Sequence, residues 1–310
     1  LQATLESRRG DNATARERLR RVLGKDISDE YIVSKLMECC ESIEQQQVEL
    51  SWILSQLRQQ PVTGEVLVAF RDHAESVVPP DQLLASLQDA VDARNDLWQA
   101  HQALIRQLTH LQQLDEATAA AENATRQFPR EPNAWFERFR VASAVGDMAA
   151  QRSALQRCQL LRPSNPAIIR ALSDVLCSEG SVEEARELLE RLVSQQPLDA
   201  VSRGYLADVL AELDETEAAL EQYEHAVTLE PEYSYAWERL DAAAHQLDRP
   251  DHRRSVAQKV TEIKPHIAGA WIEYARSLGV EEKFQEAHRA IDRAESIDPY
   301  REDIHIGRAR

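Results

Sequence analysis

Apolar and small residues fall on helical spacings along the chain. Ala219, Tyr223 and Ala226 are four and three residues apart, and Leu240 follows Trp237 by three. Such spacings stack side chains on one face of an α-helix. The same arrangement returns after 34 residues. Pro129, Pro163, Pro197, Pro231, Pro265 and Pro299 form one arithmetic series. Each follows a helix-like stretch, as expected of a residue that ends helices. Sustained alternation of Val, Ile, Thr and aromatic residues is missing, as are Asn-Gly and Asp-Gly hairpin turns. Ala, Leu, Glu, Gln and Arg, all good helix formers, are abundant. The pattern predicts an all-α chain.

With the serial proline at position 32, repeat units start at Trp98, Pro132, Pro166, Ala200, Ser234 and Ala268. Position 4 is then Trp135, Trp237 and Trp271. Position 7 is Leu104, Leu172, Leu206 and Leu240. Position 20 is Ala117, Ala185, Ala219 and Ala287, and position 27 is Ala124, Ala226 and Ala294. Position 24 includes Leu155, Leu189, Tyr223 and Ile291, and Gly146 and Gly180 share position 15. Small residues let the two helices of a unit approach, and large ones fill the gaps between successive pairs.

These positions resemble the tetratricopeptide repeat. The resemblance implies a right-handed superhelical solenoid of antiparallel helix pairs over residues 1–310. Residues 98–301 hold six clear repeats and 30–97 two divergent ones. Pro61 keeps position 32 in the first divergent unit, while Asn95 replaces proline in the second. Gly10, Ala15, Leu19 and Val22 match positions 15, 20, 24 and 27 of an incomplete repeat in residues 1–29. Residues 302–310 match the start of a further helix, so both ends are expected to be cut inside a repeat. Departures stand at Arg138 (position 7) and at Phe139 and Asp241 (position 8), where a local shift in packing is expected. Pro79 and Pro80 fall at the turn within their unit and are expected to lengthen it.

The formal net charge of −17 disfavours bulk nucleic-acid binding and docking on anionic membranes, and favours solubility. No run of 18 apolar residues is present, so no membrane insertion is expected. Cys39, Cys40, Cys158 and Cys177 form no C-x-x-C pair. Reduced thiols fit an intracellular, cytoplasmic setting. Phosphate-binding glycine loops, nucleophile elbows and the H-x-x-x-H spacing of zinc sites are all missing. Carboxylate pairs such as Glu183-Glu184 read as solvated faces, and the three tryptophans as core. The chain therefore reads as no enzyme, with no cofactor and no metal.

The resemblance implies a concave wall lined by the first helix of each unit, chiefly positions 2, 5, 9 and 12. Those positions give Glu38, Glu41, Asp72 and Glu75, then a strip with Arg106, Arg140 and Arg170. Asp174, Asp208, Glu238 and His245 follow, with Tyr235 nearby. A partner groove is expected there, with an acidic segment of a protein or peptide over the three arginines. The competing expectation is internal pairing, Arg170 with Asp174 four residues on. Position 6 reads Ala103, Glu137, Ala171, Tyr205, Arg239 and Glu273. The position-6 asparagine ladder of O-linked glycosyltransferase repeats is thus missing, as is the Lys/Asn set of chaperone-tail binders. The leading reading is a scaffold or adaptor. The alternatives are a recognition or regulatory arm of a larger enzyme, or a self-associating spacer.

Overall fold

The computed structural model describes residues 11–25, 27, 29–57, 64–301 and 304. Among them are seventeen α-helices and no strand. They fall into two compact units, Leu1–Arg162 and Pro163–Arg310.

The N-terminal unit holds α1 (Asn12–Leu23), α2 (Glu30–Glu38), α3 (Ile43–Leu57), α4 (Glu65–Ala74) and α5 (Pro80–Ala93). It continues with α6 (Trp98–His110), α7 (Leu114–Gln127), α8 (Pro132–Val145) and α9 (Met148–Leu161). The C-terminal unit holds α10 (Pro166–Ser178), α11 (Val182–Gln195), α12 (Ala200–Glu212) and α13 (Thr216–Leu229). After these come α14 (Ser234–Gln246), α15 (His252–Ile263), α16 (Ala268–Val280) and α17 (Phe284–Ile297).

Local chemistry sets where these helices start. Asp29, Asp147, Asn165 and Asp199 cap their helices by accepting from backbone N–H groups of the first turn. Pro80, Pro132 and Pro166 sit in the first turn, where a missing N–H costs nothing.

The turn inside each pair is equally regular. Gln112, Gly146, Gly180, Asp214, Asp248 and Glu282 all have φ between 56° and 82°. They are 34 residues apart and share position 15. At each, the N–H of the next residue reaches back to the carbonyl five residues before it, as Asp147 does to Ala142 at 2.9 Å. This is a left-handed helix stop of the Schellman type. Between Ala74 and Pro80 the turn is longer, the stretch that carries Pro79 and Pro80.

Position 4 also shows a common device. The indole N–H of Trp135, Trp237 and Trp271 donates to the carbonyl of Pro129, Pro231 and Pro265, at 2.9–3.1 Å. His101 makes the equivalent bond to Asn95 and Arg203 to Pro197. The donor ties the first helix of one repeat to the end of the repeat before it. Trp237 is fully buried, whereas Trp135 and Trp271 are only partly so.

The small residues Ala117, Ala124, Ala185, Ala219, Ala226 and Ala294 are completely buried. In the incomplete N-terminal repeat, Ala15 and Leu19 are buried, but Val22 is half exposed and Leu23 takes its place in the core. The repeat frame thus holds at Ala15 and Leu19 and slips by one residue at the end of that helix. Gly10, Pro61 and most of 302–310 lie outside the described residues.

Candidate functional site

On the N-terminal unit the first helices of three successive pairs, α4, α6 and α8, pack side by side. Their exposed edge forms a cleft of about 320 Å³ lined by Arg71, Glu75, Arg106, His110, Glu137 and Arg140. Glu137 is its pivot. Its carboxylate is 4% exposed and accepts from Arg106 at 2.8 Å, from Gln102 at 2.9 Å and from Arg140 at 3.4 Å. Arg71, itself buried, bonds Gln107 and pairs with Asp72 and Glu75. Glu75 in turn meets the His110 ring at 2.8 Å. Arg140 is 51% exposed and Arg106 27%, so both guanidinium groups reach solvent from the cleft wall.

The sequence places Arg106 and Arg140 at position 9 of successive units. It misses that a buried glutamate at position 6 stands between them. Each arginine has five N–H donors, and Glu137 takes only part of that capacity. Both side chains line the cleft.

Arg170 belongs to the C-terminal unit. The internal pairing expected with Asp174 is replaced by a bond to Asp199 at 3.1 Å and to the Ser202 hydroxyl at 3.0 Å. Asp199 is the cap of α12, so the arginine links one first helix to the start of the next. Ser202 and Arg170 hold the Asp199 carboxyl below its usual range despite its burial. Asp174 is left beside Asp208. Burial first, then that second carboxylate, raises its pKa.

Asp208 anchors the second wall. It accepts from the Tyr223 hydroxyl at 2.5 Å, the Tyr235 hydroxyl at 2.8 Å and Arg239 at 3.1 Å. Burial and the Asp208 hydrogen bond push the Tyr235 phenol up to about 12. Tyr233 packs against Tyr235 with ring centroids 6.0 Å apart. Arg239, again at position 6, was not in the predicted set, yet it neutralises Asp208. Glu238 is exposed on the same helix. His245 is also exposed, with its ring nitrogen 2.8 Å from the Asp241 carbonyl, and stands outside this cluster.

No group of His, Cys, Asp or Glu suited to a metal ion is present among the described residues. No described helix is long and apolar enough to cross a membrane. All four cysteines are free thiols. Burial pushes Cys158 up to about 12 and Cys177 up to about 11, which leaves both poor nucleophiles.

Residues 141–232 match the family model of the bacterial transcriptional activator domain. No curated protein matches the sequence. Among solved structures, a tetratricopeptide repeat protein from Parabacteroides merdae aligns with a TM-score of 0.51 at 11% identity, over 79% of this chain and 97% of its own. MamA from Desulfovibrio magneticus aligns at 0.45 with 18% identity, over 54% and 95%. Yeast Tom70 aligns at 0.47 with 12% identity, over 97% of this chain and 58% of its own. With its 34-residue helix pairs, position-15 turns and buried alanines, the chain has the fold of the tetratricopeptide-repeat proteins.

Proposed function

We propose that the chain is a protein-interaction module whose first helices hold a segment of a partner protein. The observation that carries this is the cleft of the N-terminal unit. Its walls present Arg106 and Arg140 with unused donors in a chain of net charge −17. A carboxylate of the partner enters there and is held by charge-assisted hydrogen bonds beside Glu137. On the C-terminal unit the wall is acidic and aromatic, with Asp174, Asp208, Tyr235 and Glu238. It suits a basic or aromatic segment, and Arg170 serves to fix α10 to α12. A scaffolding role fits this surface, whose charged groups are largely engaged in ion pairs.

A random-peptide display selection on the protein tests the proposal. Peptides enriched on the parent should carry acidic residues. Arg106→Glu together with Arg140→Glu should abolish that enrichment. Acidic enrichment that survives the double variant, or never appears, refutes the assigned cleft.

A further inference from the structure

Position 7 is a core position in this chain. Leu104, Leu172, Leu206 and Leu240 hold it and are at most 5% exposed. In the repeat that starts at Pro132 the residue is Arg138, and position 20, alanine in four of the six repeats from 98 onward, is Gln151. A break in a chain's own packing rule is where function is expected to intrude. The structure shows what the break creates. Two clefts, of about 320 and 110 Å³, open between α7 and α8 and share Glu122 and Arg138.

Together they make one groove. The α8 side runs from Trp135 through Arg138 and Val141 to Val145, a single helical stripe about 15 Å long. It lies roughly 100° around α8 from the Glu137–Arg140 edge, so it is separate from the cleft described above. Its two ends differ in chemistry. One has an aliphatic floor of Ala121, Val141 and Ala142, with Val145 half exposed at the rim. The other is basic and aromatic. Arg138 and Arg157 both lie 5.7 Å from the partly exposed Trp135 ring, and Arg126 lines the same end. Two guanidinium groups, those of Arg126 and Arg138, line this end with one carboxylate, Glu122, which meets Arg138 at a loose 3.7 Å.

We infer that this groove docks an amphipathic helical segment of a partner protein, with an aliphatic side chain against the half-exposed Val145 and a carboxylate between Arg126 and Arg138. The occupant is helical because the two ends lie along one stripe, which a helix matches with side chains spaced by three, four and seven. It is acidic because the partner's carboxylate replaces the long Glu122 contact with shorter bonds to both arginines. Leucine at 138 would fill the groove as it does in four other repeats.

The test uses fluorescence anisotropy with helical peptides of about twelve residues, enough for three turns. One series carries Leu at i and Glu at i+4 and i+7, and its counterpart carries Lys in place of Glu. The Glu series should bind about tenfold tighter or better than the Lys series. Arg138→Leu restores the chain's own position-7 residue, so its melting temperature should hold or rise while Glu-peptide binding is lost. Arg126→Gln should weaken binding several-fold. Equal binding of Glu and Lys peptides, binding of neither, or unchanged binding to Arg138→Leu overturns the inference. Loss on Arg140→Glu instead of Arg138→Leu also overturns it, since the peptide then sits on the other edge of α8.

Discussion

At the scale of single residues, position 15 is the sharpest case of sequence and backbone in tension. All six repeats from 98 onward need a left-handed residue there, but only Gly146 and Gly180 are glycine. A side chain in that region costs about 1–2 kcal/mol, against roughly 0.5–1 kcal/mol of extra unfolded-state entropy for glycine. Gln112→Gly and Glu282→Gly should therefore each raise stability by about 0.5–1 kcal/mol. A Cβ at Gly146 meets nothing within 4 Å, so Gly146→Ala isolates the backbone cost and should lose about 1 kcal/mol. Chemical denaturation of the three variants checks both signs. The position-4 donor gives a second ranking. Trp237 is buried, and Trp237→Phe leaves the Pro231 carbonyl without its indole partner, at a cost of about 2–4 kcal/mol. Trp135 is partly exposed, and Trp135→Phe should cost clearly less.

At the scale of helices, the starts at Trp98, Pro132, Pro166, Ala200, Ser234 and Ala268 are written in the proline series, because proline and the caps act within a few residues of themselves. The walls were legible only in part, because a side chain's partner sits on another helix. Arg170 shows the difficulty: its neighbour in sequence is Asp174, yet it reaches Asp199, whose carboxylate is fixed in place by capping α12. Position 6 was read for an asparagine ladder and set aside. Glu137 and Arg239 at that position turn out to organise polar contacts between successive first helices, while Glu273 pairs with Arg253 on the second helix of the preceding repeat. The signal available in the sequence was a glutamate at position 6 with arginines at position 9 of its own unit and the one before. Glu137→Gln keeps the shape but removes the charge that Arg106 and Arg140 share. Stability should fall by about 1–3 kcal/mol, whereas Arg140→Gln, at a half-exposed site, should cost under about 1 kcal/mol. Equal costs for the two substitutions would mean that Glu137 is not the pivot.

For the molecule as a whole, two electrostatic effects compete on mild acidification. The chain carries 53 acidic and 36 basic residues, so uptake of protons by exposed histidines reduces self-repulsion and favours the folded state. Two histidines of the N-terminal unit, one buried and one partly buried, act with the opposite sign. His101 is 3% exposed, packed edge-on against Phe128 and bonded to Asn95, and burial lowers its pKa. Burial also lowers that of His73, against the opposing pull of Asp72 and Glu38. Their unfolded counterparts titrate near 6.5. Below about pH 6.5 the unfolded chain therefore binds protons that the folded chain refuses, and stability rises with pH through that window. The contribution is complete above about pH 6.5 and is withdrawn as the pH falls. Ordinary carboxylates titrate near pH 4, so a comparison between about pH 5.5 and 7.5 weights the histidines over most acidic groups, and a double histidine variant separates their share from that of the raised Asp174 and Glu49. If burial dominates, the melting temperature drops on going to the acid side. The double variant His73→Gln/His101→Gln should flatten or reverse that drop, because only the relief of repulsion then remains. A drop of unchanged size in the double variant would locate the acid sensitivity elsewhere in the chain.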